Sequence, residues 1–193
     1  ERIIETSTRL FLAKGYRGTS VKEITEEAGI GRGTLYWYFK SKDEILITIF
    51  QKFDQGLLDQ LSAAVQSCKG DFTAKYRIFH KYSTEFARDH RDLSLAFNTL
   101  LNEIVGTHSE AEEVAKRVYG KFSRIIEDML NEGKKDGSVK KDIDSNLYAH
   151  AVIACHTGML VQWLVHGETL NMPNFVRTVR TFILEGVTGH KKK

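Results

Sequence analysis

The chain of 193 residues carries 28 lysines and arginines against 25 aspartates and glutamates, which gives a formal net charge of +3. A balance this small neither indicates nor excludes a nucleic-acid partner, so the positions of the charges must decide. Its 41% hydrophobic and 27% charged residues are ordinary for a globular protein and exclude extended disorder. One proline and apolar residues at three- and four-residue spacing predict an all-α fold.

The cysteines and the chain ends bear on the compartment. Cys68 and Cys155 stand alone without CxxC spacing, so we expect neither a disulfide framework nor a zinc site. The sequence has no apolar run of about 18 residues and no signal peptide at its start, which favours a cytoplasmic protein. The first residue is Glu1 rather than methionine, and we expect a few native residues ahead of it. We expect the three lysines at 191–193 to be a solubilising tail.

The first forty residues predict three short helices. The apolar face of the first helix comprises Ile3, Ile4, Ser7, Leu10 and Phe11. This helix ends at Gly15, and a capping box of Ser20 and Glu23 begins the second, which ends at Gly29. A tight turn at Gly31 then leads into the third helix. A helix, a short glycine-containing turn and a second helix form the helix-turn-helix pattern.

The remaining residues predict a larger helical body. A second capping box, Ser41 with Glu44, begins a long helix that extends to about Val65. Further helices are predicted over 72–90, 92–106, 110–135, 145–166 and 173–187. We therefore divide the chain into a helix-turn-helix domain at 1–46 and a larger helical domain at 47–193.

The third helix, in the segment RGTLYWYF at 32–39, concentrates aromatic residues. At about 100° per residue, Leu35 and Phe39 share one apolar edge, and Tyr36 lies at its boundary. The opposite face carries Gly33, Thr34, Trp37 and Tyr38. Exposed rings and hydroxyls suit the thymine methyls and base edges of the major groove. The alternative is that the aromatic residues pack against the long helix behind them.

Lys42 lies in the first turn of the long helix, where its charge opposes the helix dipole at a cost of a few tenths of a kcal/mol. The unpaired amides of a helix start and an ammonium group together favour an anion, and a DNA phosphate fits that description. First-turn lysines are common, so this interpretation depends on its position five residues after Trp37.

These motifs resemble the N-terminal domain of TetR/AcrR-type transcriptional regulators. The resemblance rests on Thr19-Ser20-Val21, Ile24, Ala28-Gly29-Ile30, Gly33-Thr34-Leu35-Tyr36, Tyr38-Phe39 and Ser41-Lys42. It covers residues 1–50, and the helix lengths beyond are similar. Two residues depart from the family pattern: Gly31 stands where a serine cap is frequent, and Thr25 stands where alanine is usual.

The resemblance implies a homodimer whose two recognition helices enter successive major grooves of a palindromic operator. The residues it places at bases or adjacent backbone are Arg32, Gly33, Thr34, Trp37 and Tyr38. The residues it places mainly at phosphates are Ser20, Lys22, Tyr36 and Lys42. It implies a ligand-responsive regulator, for which we favour repression, although the sign depends on where the operator lies relative to a promoter.

Family members dimerise through their last two helices, and the sequence is compatible with this. The last predicted helix carries the apolar stripe Phe175, Val176, Val179, Phe182, Ile183 and Val187. The helix before it carries Ala149, Ala151, Ala154, Gly158 and Leu160, mostly small residues that allow close helix approach. Two such helices from each chain would form a four-helix interface. The alternative is that both helices face only their own core.

The family holds its ligand within the helices after the first three. The candidate ligand contacts are Phe79, Phe97, Leu101, Ile104, Tyr119, Phe122, Ile126, Met159 and Trp163. Their apolar character favours a hydrophobic or amphipathic small molecule. Each of them is otherwise an ordinary core residue. We expect ligand binding to shift the helix that begins at Ser41 and so to change the separation of the two recognition helices.

The sequence carries no catalytic or metal-binding motif. None of its seven histidines forms an i, i+4 pair or an HExxH motif, and GxSxG, phosphate-loop and Cys–His patterns are missing as well. We therefore expect neither a cofactor nor a metal, and we disfavour an enzyme. A constitutive DNA-binding module without an effector is the main alternative.

Overall fold

The computed structural model describes residues 1–188, which contain ten α-helices, one π-helical turn and no strand. The first five helices are α1 (Arg2–Lys14), α2 (Val21–Ala28), α3 (Arg32–Tyr38), α4 (Lys42–Phe53) and α5 (Gln60–Ser67). The others are α6 (Phe72–Asp89), α7 (Arg91–Ile104), α8 (Glu110–Asp136), α9 (Ser145–His166) and α10 (Met172–Val187). The predicted all-α fold is confirmed, and the predicted tail at 191–193 lies outside the described residues.

The helices form two compact packing units, and each unit is built from two separate stretches of chain. The first unit comprises 1–56 and 89–119, so it contains α1–α4, α7 and the first part of α8. The second comprises 57–88 and the residues from 120 onward, so it contains α5, α6, the rest of α8, α9 and α10. These units group residues by packing. The predicted division after residue 46 concerns function and stays a prediction.

Local sequence signals account for α1 and α2. All five residues of the predicted inner face of α1 are buried. The Ser20 hydroxyl accepts from the Glu23 amide at 3.2 Å, and the Glu23 carboxylate accepts from the Ser20 amide at 2.8 Å, so the capping box is confirmed. Gly29 closes α2 with φ of 63°, a left-handed conformation that glycine adopts without strain.

The second capping box forms only in part. The Ser41 hydroxyl accepts from the Glu44 amide at 3.2 Å, as predicted. The Glu44 carboxylate accepts from the Lys40 amide instead of the Ser41 amide, because the extended backbone at Ser41 brings the preceding amide toward the carboxylate. The predicted reciprocal bond is therefore wrong.

The predicted long helix contains a π-helical turn at Asp54–Asp59, between α4 and α5. Across α4, this turn and α5, buried residues follow one another at four-residue steps: Ile45, Ile49, Phe53, Leu57, Leu61 and Val65. On a regular α-helix such steps drift by about 40° each. The wider π turn compensates for this drift and keeps Leu57 and Leu61 inside. The sequence analysis missed the turn because it assumed one helical period throughout.

The core of the first unit is built where α7 packs against α1 and α4. Phe97 of α7 stacks on Phe53 with ring centroids 4.3 Å apart and meets Phe50 edge-on at 5.4 Å. All three rings are buried. Thus α7 supports the helix-turn-helix segment although it lies far from it in the sequence.

The core of the second unit is rich in aromatic residues from α6. Phe79 stacks on Phe122 of α8 with centroids 5.4 Å apart, and Tyr76 stacks on Phe72 at 5.7 Å. Of these rings, Phe72, Tyr76 and Phe79 are almost completely buried. Side-chain caps fix the starts of the two last helices, with Asp144 accepting from two amides of α9 and Asn171 accepting from one amide of α10.

Candidate DNA-reading surface and ligand cavity

Helix α3 turns one apolar side chain inward and its aromatic side chains outward. Leu35 is completely buried, whereas Tyr36, Trp37 and Tyr38 are 52%, 78% and 59% exposed. The outward orientation predicted for Trp37 and Tyr38 is confirmed. Tyr36 was predicted at the boundary of the apolar edge and is exposed instead. The rings of Trp37 and Tyr38 meet edge-to-face with centroids 4.6 Å apart, which fixes them as one exposed unit.

The other predicted base-contacting residues lie on the same exposed helix. Arg32, Gly33 and Thr34 are exposed, and a Cβ on Gly33 would meet no atom within 4 Å. Within the described part of the chain, Arg32 has no carboxylate partner. Gly31 provides no side-chain cap, so the start of α3 presents its backbone amides without a competing hydroxyl.

The predicted phosphate contacts Ser20 and Lys22 are exposed at the start of α2. The Ser20 hydroxyl donates to the Glu23 carboxylate at 2.8 Å while it caps the helix. Lys22 forms a loose pair with Glu26 at 3.7 Å, and an exposed pair of this kind is worth little and is readily exchanged. The departure at Thr25 is a packing detail, since this buried hydroxyl donates to the Lys22 carbonyl at 2.9 Å.

Lys42 reaches into the protein rather than away from it. Its ammonium donates to the carbonyls of Tyr16 at 2.7 Å and of Thr19 at 2.8 Å, and it lies 4.3 Å from the centre of the Tyr16 ring. Burial is the main cause of a lowered pKa, and the charges of Glu103 and Glu23 oppose it. Two of its three N–H groups thus hold the loop between α1 and α2. Its phosphate contact stays a prediction that relies on the third.

Tyr16 connects that loop to three helices, and no sequence pattern indicated this. Its amide donates to the Glu103 carboxylate of α7 at 2.9 Å, its carbonyl accepts from Lys42, and its hydroxyl donates to Asp43. Its ring packs edge-on against Phe11 with centroids 5.3 Å apart. These partners are distant in the sequence, so helical periodicity could not reveal them. The loop that positions α2 is therefore held by charges of opposite sign from α4 and α7.

A cavity of about 470 Å³ lies between α6, α9 and α10 in the second unit, a size typical of small-ligand sites. Its apolar wall consists of Ala87, Met159, Leu160, Trp163, Met172, Pro173 and Val176. Its polar lining consists of His80, Lys81, Thr84, Glu85, Arg88 and Arg180. Of the predicted ligand contacts, this cavity contains Met159 and Trp163.

The other predicted ligand contacts lie elsewhere. Phe97, Leu101, Ile104 and Tyr119 belong to the first unit, and Phe79, Phe122 and Ile126 belong to the second. Phe79 and Ile126 are completely buried, and Phe97 is held between two other rings. They act as core residues in this structure, and their contact with a ligand stays a prediction.

Sequence reasoning missed most of the cavity lining. His80, Thr84 and Arg88 recur at four-residue spacing on α6 and therefore share one face. That polar stripe could have been used to predict a surface of α6 that binds a polar group. Arg180 on α10 gave no such signal, because its position over the cavity depends on how α10 packs against α6.

A buried chain of polar side chains, Tyr76, His156 and His80, reaches the lining of the cavity at His80. His80 Nε2 lies 2.9 Å from the Val176 carbonyl, so this nitrogen carries the proton, and His80 Nδ1 must accept. His156 Nε2 then donates its one hydrogen to His80 Nδ1 at 3.3 Å, and the Tyr76 hydroxyl lies 3.5 Å from the same nitrogen. This assignment makes both imidazoles neutral and links α6, α9 and α10 by directed hydrogen bonds.

Burial dominates the titration of this chain. It lowers the pKa of His156 to about 3, with the neighbouring His80 adding to the shift. It also lowers the pKa of His80 to about 4, opposed by the bond to Val176 and reinforced by the charge of Arg180. Burial raises the pKa of the Tyr76 hydroxyl, and Arg180 opposes that shift. At neutral pH this chain of Tyr76, His156 and His80 is uncharged.

Helices α9 and α10 each expose apolar side chains, which together are here called the apolar face. On α9 this face comprises Leu147, Ala151, Ala154, Gly158, Val161 and Val165, which alternate at steps of four and three residues. On α10, Phe182 is 68% exposed, whereas Ile183 and Val187 are buried. The predicted stripe of α10 therefore divides between its own core and the outside. The predicted small-residue set of α9 divides in the same way, since Ala149 is buried.

The described residues form neither a metal-binding cluster nor a membrane-spanning helix. Among residues 1–188, no group of histidine, cysteine or acidic side chains is arranged to hold a metal ion. None of the helices in that range has an apolar stretch long enough to cross a bilayer.

Comparison with known proteins covers nearly the whole chain. Residues 3–49 match the profile described as "Bacterial regulatory proteins, tetR family", and residues 50–186 match "YsiA-like protein, C-terminal region". The chain is 23% identical over 186 residues to the fatty acid metabolism regulator protein of Bacillus subtilis, covering 96% of this chain and 94% of that protein. It is 24% identical over 197 residues to the transcriptional repressor KstR2 of Mycolicibacterium smegmatis, covering 97% and 90%.

Solved structures show the same fold. The MbdR regulator from Azoarcus sp. CIB superposes with a TM-score of 0.85 at 24% identity, covering 97% of this chain and 98% of that one. The transcriptional regulator FadR from Bacillus subtilis, in complex with stearoyl-CoA, gives 0.79 at 21% identity, covering 96% and 97%. The helix-turn-helix segment exposes the aromatic side chains of α3, and the two family profiles together match residues 3–186. This chain therefore belongs to the tetR family of bacterial regulatory proteins.

Proposed function

We propose that this chain is a ligand-responsive transcriptional repressor that binds a palindromic operator as a homodimer in the cytoplasm and is released by a hydrophobic or amphipathic small molecule. The observation that carries the proposal is the exposed face of α3, where Trp37 and Tyr38 protrude beside Arg32, Gly33 and Thr34. Large exposed aromatic side chains are unfavourable in water and need a partner.

DNA is the partner that this face fits. The rings of Trp37 and Tyr38 match thymine methyls, Thr34 adds a hydroxyl, and the missing side chain of Gly33 admits a close approach. Arg32 can donate two parallel hydrogen bonds to a guanine edge or bind a phosphate. Ser20 and Lys22 at the start of α2, with Tyr36, lie on exposed positions suited to phosphate contacts.

The exposed face of α9 and α10 supports a homodimer. Its regular spacing of apolar and small residues is the pattern of a helix that packs against another helix. A second copy of the chain offers the same face, and a two-fold axis would bring four helices together. A dimer of this kind requires operator half-sites separated by about one turn of DNA or a multiple of it.

The cavity between α6, α9 and α10 supports an effector. It adjoins the same two helices that carry the proposed dimer face, so a bound ligand changes the packing from which the dimer is built. A FadR relative from Bacillus subtilis is solved with stearoyl-CoA, an amphipathic molecule. Thermodynamic linkage is reciprocal. A ligand that weakens binding of the protein to its operator must therefore bind less tightly to the protein–operator complex than to the free protein.

Selection of random duplex DNA on the purified protein tests the proposal. We expect a two-fold symmetric consensus, and a duplex with that consensus then serves as the probe for effector screening. If the retained DNA is released by salt but has no consensus sequence, the protein contacts phosphates only, and this would contradict base recognition by α3. A consensus without any response to hydrophobic or amphipathic compounds would favour the constitutive DNA-binding module.

A further inference from the structure

We propose that the cavity between α6, α9 and α10 selects an amphipathic anion, whose negatively charged group binds Arg180 and whose apolar body lies against Trp163 and Met172. This inference rests on the proposed function, since it specifies the chemical class of the effector. It identifies the chemistry that recognises the ligand: one anionic group at a fixed place and one short apolar body.

The charges around the cavity are unbalanced toward positive. Lys81 and Arg180 line it together with the carboxylate of Glu85. Glu85 lies 4.0 Å from Lys81 on the exposed side of α6, so this carboxylate is already shared with a lysine. The neutral His80 beneath them supplies no further charge. A ligand entering this cavity therefore meets a positive potential, which favours an anion.

Arg180 is the cation best placed to bind the ligand. It is half-buried, and no carboxylate within the described residues lies within ion-pair distance of it. It lines the cavity together with His80, the member of the buried polar chain that reaches the lining. A cation withdrawn from water without a counter-charge is costly, and an anion in the cavity removes that cost. A planar guanidinium also suits carboxylate and phosphate oxygens in a bidentate geometry.

The cavity also has an apolar wall. Met159 and Trp163 come from α9 and Met172 and Pro173 from the start of α10, whereas Arg180 lies about 12 Å further along α10 than Met172. A ligand that contacts both Met172 and Arg180 must carry its charge at one end. The volume of about 470 Å³ limits the apolar body to the size of a small molecule.

Calorimetric titration with three eight-carbon probes tests this: octanoate, 1-octanol and octanoyl-CoA. The first and third carry an anionic group as a carboxylate or as phosphates, and the alcohol carries none. We expect at least one of the two anions to bind about 10-fold to 100-fold more tightly than the alcohol, the range for a hydrogen-bonded charge. Preference for octanoate identifies a free carboxylate as the recognised group, and preference for octanoyl-CoA identifies the conjugate. Equal or tighter binding of the alcohol overturns the proposal.

Two variants locate the anion. Arg180→Met keeps an apolar stem of similar length, and we expect it to remove the preference for the anion while octanol binding changes by less than about 2-fold. Lys81→Met removes a cation that is exposed and paired with Glu85, so it serves as the matched control and retains the preference. An Arg180→Met protein that keeps the full preference contradicts the assignment. Thermal unfolding of both variants shows whether each is folded.

A fluorescence measurement confirms the place of binding. The chain has two tryptophans, and Trp37→Phe leaves Trp163 as the only one, which excitation at a wavelength that tyrosine does not absorb observes selectively. Octanoate is expected to shift the emission of this variant, and an unchanged spectrum at saturation contradicts binding against Trp163. Selection of random DNA distinguishes the two levels of failure, because a symmetric consensus with no anion preference sinks this inference and leaves the proposed repressor standing.

Discussion

Individual side chains of the reading surface differ in how much they contribute to folding. Trp37 is 78% exposed and touches mainly Tyr38, so the folded protein gains little from it. Lys42 lies only five residues further on, yet its ammonium is bonded to two carbonyls of the preceding loop. Substitutions at the two positions should therefore separate an effect on DNA recognition from an effect on the protein that presents it.

Trp37→Ala is expected to change the free energy of unfolding by no more than about 0.5 kcal/mol, as is usual for exposed positions. It should weaken operator binding by about 1–3 kcal/mol more than binding to random duplex, because an apolar base contact is lost. Fluorescence anisotropy with both duplexes measures the difference. Tyr82→Ala removes an exposed aromatic ring from α6 and is the control. Equal losses on both duplexes would make Trp37 a structural residue.

Lys42→Met is expected to lower the free energy of unfolding by about 1–2 kcal/mol, since two carbonyls lose a charged donor in a partly exposed place. Urea unfolding measures this, and Lys40→Met, an exposed neighbour, should have almost no effect. If the third N–H group also binds a phosphate, the variant weakens binding to all duplexes and flattens the salt dependence by about one counterion. An unchanged slope would leave Lys42 only its role in holding the loop.

At the scale of elements, the sequence predicted the helices well and their contacts poorly. Caps and glycines lie close to the residues they affect, so α1, α2, α9 and α10 were placed to within a few residues. The outward aromatic face of α3 also follows from helical spacing alone. The cavity, in contrast, is assembled from three helices, and Arg180 does not differ in sequence from an ordinary surface residue.

The same limitation explains the two local errors. The π turn compensates for a drift that shows only when buried positions are known, and the Glu44 carboxylate chooses between two neighbouring amides according to backbone direction. Tyr16 and Glu103 are a further case, because their bond joins residues 87 positions apart. Local pattern determines where a helix begins and ends, and packing determines which of its side chains meet.

The apolar face on α9 and α10 leads to a prediction about assembly. Phe182→Glu places a charge where the second chain should pack, and burial of an unpaired carboxylate is strongly unfavourable. We expect a folded monomer by sedimentation equilibrium, with operator affinity reduced at the same protein concentration. Val105→Glu, at an exposed apolar residue after α7, should remain dimeric and is the control. A Phe182→Glu protein that stays dimeric would place the interface elsewhere.

For the whole molecule, the buried histidine pair determines how stability responds to acid. His80 and His156 have folded pKa values of about 4 and about 3, below the 6.5 of an unfolded histidine. The unfolded chain therefore binds protons first, and the stabilisation is complete above about pH 6.5 and is lost as the pH falls toward the folded values. Between pH 6 and pH 4.5 the free energy of unfolding should fall by about 2 kcal/mol per pH unit.

Urea unfolding at a series of pH values measures that slope. His156→Gln should reduce it by about half, because one of the two protons taken up on unfolding is removed. His150→Gln changes an exposed histidine on the same helix, and the slope should stay as it was. Carboxylates with lowered pKa values, such as Glu23 and Glu112 at about 2, begin to contribute near the unfolded value of 4.5, at the lower end of this range. A slope that is independent of His156 would mean that the pair is already charged in the folded protein.

The interleaving of the two packing units restricts how such a gene can be recombined. Each unit is composed of two stretches, 1–56 with 89–119 and 57–88 with the residues from 120 onward. A single crossover after α4 would join α1 and α4 of one parent to the α7 of another. The bond between Tyr16 and Glu103, and the stacking of Phe97 on Phe53, would then depend on residues with separate histories. Chimaeras that exchange effector specificity should therefore retain operator binding only when 89–119 comes from the parent that supplies the N-terminus.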